Sequence, residues 1–202
     1  LKAPHTGERT RAHIDIQVVT DIVYIGDQTG NRFTDGDYGI YASRSNIFAQ
    51  NNSFDNFMTF NTTSGIAAFG YECRMFDIGT ENANNFTHCQ YGTQTKNSNC
   101  NILNNTFTDV EVAVNTLSST GRQIFIEHNT MTDVTTGIMC AGNLQCAVTI
   151  DGNEITTRYP QPGNTTYGIY LDALGSNAFN TINNNTVHSK STYGMQITKV
   201  TG

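Results

Sequence analysis

Three side chains able to move protons recur at one position of this chain. His88, Asp109 and Asp133 each stand four residues after an asparagine, at Asn84, Asn105 and Asn129. Two carboxyl groups across a glycosidic bond can act as acid and base, and a histidine can share the proton transfers. Carboxylates held close together repel, which raises one pKa and separates the two roles. The same residues admit two other readings. A row of oxygen ligands suits Ca²⁺, and Asp35-Gly36-Asp37 is a second calcium-like fragment, although it lacks the later acidic positions of a calcium loop. Thr-Asp-Gly at 34–36 and Thr-Asp-Val at 108–110 and 132–134 are also ordinary turn sequences, in which aspartate accepts backbone hydrogen bonds. Arg158 and Tyr159 complete the candidate set, one a fork for carboxylates and the other a ring for stacking.

The asparagines that index these residues belong to a longer series: Asn31, Asn52, Asn84, Asn105, Asn129, Asn153 and Asn185, spaced 21, 32, 21, 24, 24 and 32 residues apart. Two residues after them stand Phe33, Phe54, Phe86, Phe107, Met131, Ile155 and Val187, and eight residues after four of them stand Gly39, Gly92, Ala113 and Gly137. A recurrent frame of this length specifies a solenoid, each repeat burying its apolar face against the next. Short alternating runs place Ile47, Cys100, Ile124 and Val148 in one inward column and Ala49, Ile102, Ile126, Ile150 and Ile182 in another. No helical period persists. Asparagine tolerates the left-handed turn conformation, and stacked asparagines can bond to one another along the axis. Strand spacing of about 4.8 Å predicts a rod core of roughly 30 Å for seven coils. The column His88, Asp109, Asp133 then lies along one outer face, neighbours about 5 Å apart, continued by Thr157 and Ser189 in later coils.

Departures from the frame are also informative. Gln28 and Glu81 stand where an apolar residue is expected, and Phe60 where Gly is expected. The 32-residue interval after Asn52 predicts an irregular piece around Phe69 to Phe76. In the Asn153 repeat, Gly168 comes seven residues late, so an inserted loop falls within Thr157 to Asn164, stiffened by Pro160 and Pro162. It is expected to leave the rod beside Asp133. Tyr38, Tyr91, Tyr167 and Tyr193 each precede a glycine, a row that reads as packing over the coil or as a sugar-stacking surface.

The seven asparagines, their apolar partners and the following glycine resemble the right-handed parallel β-helix repeat family across residues 22 to 200. That family includes polysaccharide lyases, hydrolases and epimerases, phage tailspikes and bacterial surface proteins. The resemblance implies an all-β solenoid of about seven or more coils, with ends left uncapped because Met195 to Val200 still reads as a strand. The enzyme signatures of the family are missing. There is no Trp for the pectate lyase motifs, and no Asn-Thr-Asp, Asp-Asp, Gly-His-Gly or Arg-Ile-Lys for polygalacturonases.

Residues 1–13 read as an N-terminal arm and residues 14–202 as the β-helix domain. A net charge of -6 provides no basic stripe for nucleic acid, and no apolar run is long enough to span a membrane. Leu1 opens without a signal-peptide pattern, so the chain reads as a mature or excised piece. Of five cysteines none forms a C-x-x-C pair, so no metal site or cofactor is expected beyond the weak calcium reading. The cysteines read as small core residues, or Cys140 and Cys146 close a short disulfide. The expected role is a non-catalytic segment of a secreted or cell-surface protein: a rigid scaffold, adhesin or subunit of an extracellular assembly. Its open ends would be covered by other subunits or by the rest of a longer chain, and polysaccharide is a candidate ligand. The alternatives are a polysaccharide lyase or glycoside hydrolase using His88, Asp109 and Asp133, and a phage tail fibre segment.

Overall fold

The computed structural model describes residues 12–26, 28–58, 65–143, 145–172, 180–190 and 192–199. Every regular element among them is a strand, and every strand pairing is parallel. Each coil contributes one strand to each of three sheets. In one coil these are Val112–Leu117, Gln123–Glu127 and Thr130–Val134. Repetition builds a first sheet of eight strands and second and third sheets of seven. The first strand, Ala12–Gln17, already belongs to the first sheet. Residues 12 and 13, which the sequence assigns to an arm, are therefore in the rod, with His13 against Phe33 and Phe57. The rest of that arm, residues 1–11, lies outside the described residues.

The core is the stacked inward columns. Ile47, Cys100, Ile124 and Val148 are buried, as are Ala49, Ile102, Ile126 and Ile150. In the third sheet Phe33, Phe54, Phe86 and Phe107 stack face to face, with centroids 4.9, 4.8 and 4.7 Å apart. Packing at the start of the first sheet is tight. A Cβ on Gly92 would lie 2.6 Å from the Phe107 ring, which explains why that column favours glycine.

Three corners join the sheets, each with its own chemistry. Between the second and third sheets the repeat asparagines form a ladder. Asn129 Oδ1 accepts from the backbone N–H (3.0 Å) and Nδ2 (3.2 Å) of Asn105, while its own Nδ2 donates to Ile102 O at 2.7 Å. The pattern runs from Asn31 to Asn185. The left-handed residue is not the ladder asparagine but the one before it: Asn51, Asn104, His128, Gly152 and Asn184.

The corner from the first to the second sheet carries a further ladder, of Ser45, Cys73, Ser98, Ser119 and Asn143. Here the Ser45 hydroxyl accepts from Val19 N–H, Ser98 from Cys73 N–H, and Asn143 Oδ1 from Ser119 N–H. The corner from the third to the first sheet holds Asp35, Asn56, His88, Asp109 and Asp133, all at positive φ.

Several sequence expectations shift register. Gln28 and Glu81 do not replace core residues, because Ile25 and Ile78 hold that column. The coils instead take three extra residues before their ladder asparagines. Gly79 opens one of these turns at φ 82, where a Cβ would lie 2.2 Å from Asn105 Oδ1. Residues 69–76 are not irregular, since they lie in and between the strands Ile66–Tyr71 and Met75–Ile78. Ala68, rather than Ile66, pairs with Ile40, and Ala67 follows in the glycine column. Phe60, which the sequence frame puts at that glycine position, lies outside the described residues. Cys140 and Cys146 are both buried and free, so the short disulfide does not form.

Candidate functional site

The corner that leads into the first sheet brings His88 and Asp109 together. His88 Nε2 lies 3.6 Å from Asp109 Oδ2, and Nδ1 lies 2.9 Å from Asp55 Oδ1. Asp109 Oδ1 in turn accepts from Arg158 Nη2 at 2.9 Å, and Arg32 stands 4.0 Å from Asp55. The result is a row of alternating sign along the coil axis: Arg32, Asp55, His88, Asp109, Arg158. Arg158 is held further by the Asp133 carbonyl, which accepts from Nη2 at 2.5 Å and Nε at 3.1 Å, and by the Val110 carbonyl. Its fork, read from the sequence as a receptor for a ligand carboxylate, is occupied by this chain's own Asp109.

Asp133 does not join the row. The strand Thr130–Val134 is irregular at that point, and Val134, not Asp133, pairs with Thr157. Asp133 is pushed outward and its carboxylate has no partner among the described residues, while Thr157, expected in the same outer column, is buried. Tyr159 also stands apart. It is 70% exposed on the loop, with the Lys190 ammonium 5.2 Å above its ring. Asp35 of the calcium-like fragment accepts from the Asn56 side-chain amide, and no group of three or more potential metal ligands occurs among the described residues.

The electrostatics follow from the geometry. The Asp55 carboxylate, hydrogen-bonded to His88 with Asp109 on its other side, raises the His88 pKa above its ordinary value. The bond from His88, aided by one from Thr87, lowers that of Asp55. Because the folded His88 value is raised, its contribution to stability is complete below its unfolded value of about 6.5 and is lost as pH rises through the folded value. The advantage of the natural protein over His88→Gln in thermal unfolding is therefore expected to be present at about pH 5.5 and to shrink as pH rises through the raised folded value. A pH-independent advantage would show that the imidazolium charge is not what joins these coils. With both ring nitrogens facing carboxylates and the imidazole 60% exposed, the row serves to clamp adjacent coils at the surface.

The second candidate surface is the outer face of the first sheet. In-register neighbours there are Tyr41, Phe69, Gln94, Asn115, Met139, Tyr170 and Gln196. Beside them runs the column containing Tyr38, Tyr91, Tyr167 and Tyr193. Two aromatic clusters result. Tyr38, Tyr41 and Phe69 lie 5.3 to 5.7 Å apart, and Tyr167 lies 5.0 Å from Tyr170 and 5.7 Å from Tyr193. Thr165 and Thr166 separate the inserted loop from Tyr167. The tyrosines before glycine were visible in the sequence, but their partners three residues on were not. The signal was the repeated tetrapeptide Tyr-Gly-Ile-Tyr at 38–41 and 167–170.

Three parallel sheets wound about one core, with an asparagine ladder at one corner, define a parallel β-helix. The family model for the right handed beta helix region matches residues 77–201, more than half of the chain, and the chain belongs to that family. No curated protein and no solved structure matches it.

Proposed function

We propose that this chain is a rigid, non-catalytic recognition module that contacts glycans through the outer face of its eight-stranded sheet, as a scaffold or adhesin at a cell surface or in an extracellular assembly. The two aromatic clusters on that face carry the reading. Rings fixed on a sheet offer flat apolar area at little entropic cost and suit the faces of sugar rings. The mutual pairing of His88, Asp109 and Arg158 supports a non-catalytic role, since each of these groups already has a partner within this chain.

Affinity electrophoresis through gels containing soluble polysaccharides tests this reading. Retardation by at least one polymer is expected, with affinity falling by tenfold or more in a Tyr167→Ala, Tyr170→Ala double variant, about 1.4 kcal/mol or more. No release of reducing ends or unsaturated products should accompany binding. Product release that disappears in Asp109→Asn or Asp133→Asn would replace the module with the lyase or hydrolase reading.

A further inference from the structure

We infer that the glycan on this face is neutral: a hydroxyl-rich polymer without carboxylates or sulfates, lying along the coil axis across Asn115 with its ends on the two aromatic clusters. The inference rests on the glycan-contact reading above and narrows it to a ligand class. Its first support is a pair of orphaned acceptors. Asn115 points outward, between the inward Val114 and Thr116, yet is 3% exposed, and its Oδ1 has no hydrogen-bond partner. Gln196 Oε1, in the same outer column, is likewise unpartnered. These are two of the three such side-chain atoms among the described residues, the third being Thr80 Oγ1. A buried acceptor without a donor is costly, and a hydroxyl is the donor a sugar brings.

Position supports this. Asn115 lies between the clusters, two strands from Phe69 and two from Tyr170, so the rings are about 19 Å apart along the axis. A polymer stacked at both ends crosses the asparagine. Its in-register neighbours Gln94 and Met139 are long and unbranched, so they can turn aside to open the acceptor.

Charge decides the class. Among the described residues, the outward columns of this sheet carry three charged groups: Asp15, Lys96 and Asp172. Asp15 accepts from Gln17 and Asp172 from the Thr198 hydroxyl, leaving Lys96 as the sole cation of these columns. An acidic polymer needs cations along its length to offset carboxylates or sulfates. At the corners beside the sheet, Arg158 is held by Asp109 and Arg44 by Glu72.

The test is a panel of neutral polymers (β-glucans, xylans, mannans) against polygalacturonate, alginate and a sulfated glycan, with Asn115→Leu alongside the natural protein. Binding to a neutral polymer, unchanged by added salt, is expected. Asn115→Leu should weaken it about tenfold while leaving the unfolding temperature unchanged or higher, because a lost acceptor bond costs affinity and a removed orphan does not cost stability. Preference for an acidic polymer would overturn the neutral assignment and leave glycan contact standing. Binding to none of the panel would overturn both, and undiminished binding by Asn115→Leu would remove the asparagine from the site.

Discussion

Replacing Asn129 with alanine is expected to lower the free energy of unfolding by about 3–5 kcal/mol, as large an effect as any single substitution in the rod should have. Asn129 is 1% exposed and bonds in both axial directions. Its Oδ1 receives the Asn105 backbone N–H, and its Nδ2 serves Ile102 O and Asn153 Oδ1. Alanine leaves the Asn105 N–H buried without a partner, at about 1–3 kcal/mol, and removes the amide's further bonds to Asn105 Nδ2, Ile102 O and Asn153 Oδ1, at about 1 kcal/mol each. Urea denaturation of the variant and of Asn164→Ala, an exposed loop asparagine, makes the comparison. The loop change should stay within about 0.5 kcal/mol of the natural protein. A loss below about 1 kcal/mol for Asn129→Ala would mean the ladder is not a source of stability.

The ladder was legible because its residue type is invariant across seven coils. The same regularity made the inward columns readable from Ile47 to Ile150. The serine corner was not readable, because Ser45, Cys73, Ser98, Ser119 and Asn143 share a hydrogen-bonding role rather than an identity. The three-residue insertions at residues 26–30 and 79–83 were misassigned for a physical reason. A solenoid keeps its strands in register whatever the corner does, so extra residues accumulate in the turn and a fixed-length frame reads past them onto Gln28 and Glu81.

The acid–base row shows the same limit at the level of chemistry. Counting from the asparagine placed His88 and Asp109 on one corner, which the coil geometry bears out. It could not find Asp55, which lies one position earlier, in the strand Ser53–Asp55, and is the closer counterion of His88. Nor could it anticipate the irregularity that turns Asp133 out of line. The aromatic face depended on side chains three residues beyond the frame, so its columns emerge only once the first-sheet register is known.

The other large effect is expected at Phe86. Its ring lies between those of Phe54 and Phe107 at 4.8 and 4.7 Å, with interplanar angles of 3° and 9°, and it is fully buried. Phe86→Ala removes the ring from a position that cannot collapse, because backbone hydrogen bonds to the coils on either side hold the strand Asn85–Thr87 in place. A cavity therefore persists, and the expected loss is about 3–5 kcal/mol. Phe86→Leu keeps most of the volume and should cost less, about 1.5 kcal/mol or more once the stacking is lost. Urea unfolding of both variants against the natural protein gives the two values. Equal losses for alanine and leucine would mean that ring stacking, rather than filled volume, governs this column. A loss below about 1 kcal/mol for alanine would mean that the coils can close over the gap and that the interior is softer than its hydrogen-bonded sheets imply.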